Sequence, residues 1–99
     1  MQRISFSAPA SRELQSASSW YRRRLPERLH GFRNDVDATV AKIQEAPLRW
    51  GFWGPAGHRR ILLAHFPFSI IYHIEDDTIV VDAIRHQARG PDRRFQSTP

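Results

Sequence analysis

Five histidines and fourteen arginines, against a single lysine at Lys42, dominate the polar chemistry of this 99-residue chain. Histidine gives or takes a proton near neutral pH, and the planar guanidinium of arginine suits a phosphate or carboxylate. Together they supply what metal-free RNA cleavage requires: a base for the 2′-hydroxyl, a cation for the scissile phosphate and an acid for the leaving oxygen. His86, Arg89, Arg60 and His73 are the catalytic candidates. Arg59, Arg60, Arg85, Arg89 and Arg93 are the candidates for binding a target. His30, His58 and His65 are scattered, and no His/Asp/Glu spacing suggests a metal site or calls for a cofactor. Coding bias toward arginine produces the same Arg/Lys ratio without any ligand. The chain has no cysteine, hence no thiolate chemistry and no disulfide framework.

Several of these residues lie in Phe68 to His86, FSIIYHIEDDTIVVDAIRH, which reads as a β-hairpin. With Asp76 and Asp77 as its turn, Glu75 faces Thr78, Ile74 faces Ile79, Tyr72 faces Val81 and Ile70 faces Ala83. Alternation then gathers Phe68, Ile70, Tyr72, Ile74, Ile79, Val81 and Ala83 on one apolar face. The other face takes Ser69, Ile71, His73, Glu75, Val80, Asp82, Ile84 and His86, while Arg85 alternates toward the apolar side. In this register Asp82 and His86 share a face but stand about 13 Å apart, four residues at about 3.4 Å each, so they form no direct pair. His73 reads as a solvent-facing strand residue.

The rest of the chain supplies the support. Arg3 to Ser7 reads as a short strand. Ser7 and Pro9 open a helix whose apolar face is Ala10, Leu14, Ala17 and Tyr21, and whose last turn carries Arg22, Arg23 and Arg24. Leu25-Pro26 breaks it, and a second helix follows with the stripe Leu29, Phe32, Val36, Val40 and Ile43, closing at Ala46-Pro47. Leu48 to Gly57 is a loop whose Trp50, Phe52 and Trp53 are expected to cap the core rather than stack on bases. His58 to Phe66 reads as a strand. The order β-α-α-β-β-β predicts an α+β domain over residues 1–99, a mostly antiparallel sheet with a helical hairpin on one face. From about residue 90 the basic tail is expected to be flexible.

With 40% hydrophobic and 25% charged residues the composition is that of a globular protein. No apolar run suits a bilayer or a signal peptide, so a cytoplasmic protein with no membrane partner is expected. The net charge of +5 favours nucleic acid or an acidic protein as partner.

The segment FPFSIIYHIEDDTIVVDAIRHQARGP resembles the RelE/ParE superfamily of bacterial type II toxins. It has the Phe-Pro-aromatic opening, an apolar-Tyr strand, an acidic turn, a Val-rich strand, and then His86, Arg89 and Pro91 in a His-x-x-Arg-x-Pro ending. Trp20-Tyr21 and Glu45-Ala46-Pro47 also fit, and the likeness runs from about Ile4 to Phe95. It implies a growth inhibitor neutralised by a cognate antitoxin, with homo- or hetero-oligomeric assembly. RelE-like members cleave mRNA in the ribosome with basic residues on the open sheet face, whereas ParE-like members inhibit DNA gyrase. The His86-x-x-Arg89 ending is closer to ParE-like sequences. Both groups often carry an arginine at the second position of the third strand, where this chain has Ser69. The resemblance therefore implies a ParE-like gyrase inhibitor, with a ribosome-dependent mRNA endoribonuclease, or a fold that has lost toxicity, as alternatives.

Overall fold

The computed structural model describes residues 2–87. Arg89, Arg93 and the basic tail expected from about residue 90 lie outside the described residues. The elements are β1 (Arg3–Phe6), α1 (Ala8–Arg24), α2 (Pro26–Glu45), β2 (Arg59–Leu62), β3 (Phe68–Glu75) and β4 (Thr78–His86). The strands form one sheet in the order β1-β4-β3-β2, with β1 parallel to β4 and the other pairings antiparallel. This is the α+β arrangement expected from the sequence.

Local chemistry sets the helix ends. The Ser7 hydroxyl accepts the Ala10 N–H at 3.2 Å and caps α1, and Pro9 sits in the first turn, where its missing N–H costs nothing. The Leu25 N–H closes α1 on the Tyr21 carbonyl at 2.8 Å, and Pro26 then opens α2. Ala10, Tyr21, Phe32, Val36 and Ile43 from the helices bury against Ile61, Ile70, Tyr72, Ile79, Val81 and Ile84 of the sheet. Tyr21, Phe32, Phe66 and Phe68 form an aromatic knot at one end, with Phe32 and Phe68 centroids 5.2 Å apart and tilted. Asp35, buried on α2, accepts the backbone N–H of His65 at 2.8 Å and so ties the β2–β3 connection to the helices. A buried carboxylate needs such a donor to offset its desolvation. Among the described residues no helix is long and apolar enough to cross a membrane.

The strand expected over His58 to Phe66 is shorter, because only Arg59–Leu62 joins the ladder. Leu63 instead donates to the Phe68 carbonyl at 2.9 Å, which closes the turn into β3 and lets both Leu63 and Phe66 reach the core. The aromatic loop divides its side chains. Trp50 packs on the main core, Trp53 packs on Ile71 and Ala83 on the opposite sheet face, and Phe52 is exposed under the Arg59 guanidinium, 4.0 Å from its ring centre. Core capping therefore holds for Trp50 and not for Phe52.

The β3–β4 hairpin follows the expected register from its turn to Tyr72 opposite Val81. Asp76 and Asp77 both adopt positive φ, 48° and 62°, the left-handed pair of a tight hairpin turn that aspartate tolerates. Beyond Val81 the pairing shifts by one: Ile71 faces Ala83 and Ile70 faces Ile84, so the expected Ile70–Ala83 pair does not form. Asp82 is the extra residue of a β-bulge. The shift exchanges the faces of everything after it. Ala83 leaves the helix side and Ile84 joins it, while Arg85 moves to the open face and His86 to the helix side. The driving force is burial: uninterrupted alternation would aim the Arg85 guanidinium under the helices and leave Ile84 in water.

Replacing Ile84 with alanine is expected to cost about 2–5 kcal/mol, the range for truncating a buried aliphatic. Leu62→Ala, at a half-exposed position, is expected to stay within about 0.5 kcal/mol. Urea denaturation of the two variants checks this, since an open-face Ile84 would behave like Leu62.

Candidate functional site

The sheet face away from the helices carries the polar chemistry. His73 and Glu75 stand two residues apart on β3 and therefore share this face. The bulge turns Asp82 toward them from β4. His58 arrives from the loop before β2, where the Trp53 N–H donates to the His58 carbonyl at 2.8 Å. That loop reverses through Gly54 and Gly57, at φ 77° and 83°, a conformation that side-chain-bearing residues rarely adopt.

These four residues make one cluster. His73 Nδ1 lies 2.6 Å from Asp82 Oδ2, and His73 Nε2 lies 3.3 Å from Glu75 Oε2. His58 Nε2 is 3.5 Å from the same Asp82 oxygen, and the two imidazole rings meet edge to face with centroids 5.6 Å apart. Burial works against a charged His73, but its hydrogen bonds to Asp82 and Glu75 and the charges of both acids outweigh it. The net effect raises its pKa above the ordinary 6.5. His58, His73 and Asp82 each offer one metal-ligand atom, all within 4.8 Å of one another. The spacing of these residues in sequence gave no sign of such a set.

The remaining candidates are dispersed. Arg60 shares the open face, its guanidinium 5.8 Å from the Trp53 ring centre. Arg85 is also on that face, not on the apolar side as simple alternation has it, and is only 8% exposed opposite Ser69. Arg59 alternates to the helix side, where its Nη1 donates to the carbonyls of Leu48 at 3.2 Å and Trp50 at 2.6 Å. It latches the aromatic loop rather than extending into solvent. Burial raises the pKa of the neighbouring Tyr72, Arg59 partly opposing it, and the Tyr72 hydroxyl donates to the Pro47 carbonyl at 2.5 Å. His86 lies on the helix side, its ring 5.3 Å from that of Phe68, so His73 and His86 stand on opposite faces.

Sequence reasoning passed over His58 and left Asp82 without a partner. The available signal was the parity break at Ile84-Arg85, where continued alternation exposes an isoleucine and buries an arginine. A second concavity, a groove of ≈ 1120 Å³ on the helix side, runs between α1 and the β3–β4 ends past Arg12, Trp20, Tyr21, Arg28 and His86. Burial raises the pKa of Tyr21 there, with Arg28 opposing.

The raised His73 pKa has a stability consequence with a definite sign. Protonated His73 is favoured in the folded state, so its contribution is fully present below the unfolded value near 6.5 and is lost as pH rises through the higher folded value. In protein kept metal-free by a chelator, His73→Gln is therefore expected to destabilise more at pH 6 than at pH 8.5. Urea denaturation at the two pH values, with an NMR titration of the His73 ring, checks the direction.

The geometry can be set beside known proteins. The family model "ParE toxin of type II toxin-antitoxin system, parDE" matches residues 4–91, which takes in α1, α2, β2, β3, β4 and all of β1 but its first residue. No curated protein sequence gives a significant match. A solved structure, "Chromosomal ParDE TA system from P. aeruginosa", has the same fold, with a TM-score of 0.72 at 21% identity over 87% of this chain and 96% of that one. On the extent of the family match, the chain belongs to the ParE toxin family of type II toxin–antitoxin systems.

Proposed function

We propose that this toxin arrests growth by binding DNA gyrase, and that a cognate antitoxin neutralises it. Membership of the ParE family over residues 4–91 carries this reading. The chemistry of the open face is consistent with binding rather than strand cleavage. Both nitrogens of His73 face carboxylates, Asp82 and Glu75, and two acids beside the best-placed base oppose the approach of a scissile phosphate. Arg60 and Trp53, together on the same face, offer a cation and an aromatic surface of the kind that anchors protein interfaces.

One observation favours the alternative, a ribosome-dependent mRNA endoribonuclease. Arg85 is the cross-strand partner of Ser69, so a guanidinium does stand beside the third-strand position that lacks one. Its burial limits its reach, which keeps this the second reading.

In a supercoiling assay the purified protein is expected to block gyrase while leaving ribosome-bound mRNA intact. Codon-located mRNA cleavage with gyrase unaffected reverses the assignment. Arg60→Ala is expected to weaken inhibition at least several-fold with little change in stability, whereas Arg59→Ala loosens the Leu48–Trp50 loop and lowers stability as well. Full inhibition by Arg60→Ala removes that residue from the interface. The antitoxin is expected to be acidic, its binding weakening as salt screens a basic surface.

A further inference from the structure

His58 and His73 direct ring nitrogens at one oxygen, Asp82 Oδ2, from 3.5 and 2.6 Å. Around a tetrahedral zinc ion, with ligands at about 2.0–2.2 Å, neighbouring donor atoms stand about 3.3–3.6 Å apart. The His58–Asp82 separation lies in that range, the His73–Asp82 contact reaches it by opening about 1 Å or less, and the two imidazole nitrogens, within 4.8 Å of one another, reach it by closing about 1.5 Å or less. The side chains of His58, His73 and Asp82 are 16%, 29% and 18% exposed, so the cluster is partly dehydrated but retains a solvent side.

Glu75 adds an independent sign. Its Oε2 lies 3.3 Å from His73 Nε2, the nitrogen not directed at Asp82. A carboxylate there accepts the Nε2–H proton and fixes the tautomer, which leaves the Nδ1 lone pair for a cation. This is the outer carboxylate that metal-binding histidines commonly have, and a simple surface ion pair does not require it.

We propose that His58, His73 and Asp82 form a binding site for one divalent transition-metal ion of the zinc class. Two imidazole nitrogens with one carboxylate oxygen suit zinc and its first-row neighbours, and not calcium or magnesium, which take oxygen ligands. Water fills the fourth position on the solvent side. The three ligands come from the loop before β2, from β3 and from the β4 bulge, so the ion joins three segments of the open face. It also pins the loop that carries Trp53, which couples metal occupancy to the shape of that face. The site stands whichever target the toxin takes.

The test uses untagged full-length protein, stripped with a chelator and titrated with zinc by calorimetry and with cobalt by visible absorption. One zinc per chain is expected, with the intense visible bands of tetrahedral cobalt and a zinc-dependent rise in Tm that chelation reverses. His73→Gln and Asp82→Asn are each expected to abolish the site in protein shown by circular dichroism to be folded. Glu75→Gln keeps all three ligands and is expected to weaken zinc binding about 10–100-fold. His65→Gln, at an exposed histidine outside the cluster, is expected to leave it unchanged. The absence of a saturable site in the unsubstituted protein overturns the proposal, as does a site that survives Asp82→Asn and His73→Gln or ignores Glu75→Gln.

Discussion

A single extra residue in β4, Asp82, decides what each face of this protein presents. The sheet must bury one apolar face beneath two helices, and a strand ending Ala-Ile-Arg-His cannot do so in strict alternation after Val81. The bulge resolves the conflict by changing parity. Ile84 enters the core opposite Ile70, and Arg85 avoids burial beneath the helices. The distorted strand is held from the helix side, where the Glu13 carboxylate accepts the Ile84 N–H at 3.1 Å and the Ser7 hydroxyl reaches the Asp82 carbonyl at 3.3 Å. Backbone groups that a regular ladder would pair are thus supplied from α1 and its cap.

The same residue gives the open face its chemistry. Asp82 is freed from strict pairing, hydrogen-bonds to His73 at 2.6 Å and lies 3.5 Å from His58, two histidines on other segments. In a chain of net charge +5 this is a local reversal, a pocket of carboxylates and imidazoles on a basic protein. Arginine supplies the basic charge in two ways that sequence does not separate. Arg59 is committed to loop carbonyls, and Arg60, its immediate neighbour, faces outward beside Trp53. Strand alternation alone distinguishes them, one turned to structure and the other to the surface.

The helix side has a different character. Tyr21, Phe32, Phe66 and Phe68 fill the end of the core near the α1–α2 junction, and the groove beside them is bordered by Arg12, Arg28 and the exposed Trp20. His86 belongs here, stacked edge to face on Phe68. A basic, aromatic groove and an acidic histidine cluster thus lie on opposite sides of one thin layer of strands.

Much of the fold was legible in the residues themselves. Ser7 and Pro9 marked the start of α1, Leu25-Pro26 the break between the helices, and Asp76-Asp77 the turn, because caps, proline and positive φ act within a few residues. The register near the turn was legible for the same reason. The motif from Phe66 to Pro91 pointed to the family. The bulge left one local sign, the parity break at Ile84-Arg85, but its placement at Asp82 depends on packing between α1 and β4, about 70 residues apart in the chain. The cluster left none: His58, His73 and Asp82 are drawn together by the β2–β3–β4 pairing and a glycine-reversed loop, and no spacing in the sequence encodes that meeting. Composition determined that this chain would be basic and rich in histidine, and tertiary structure decided which of those side chains face each other.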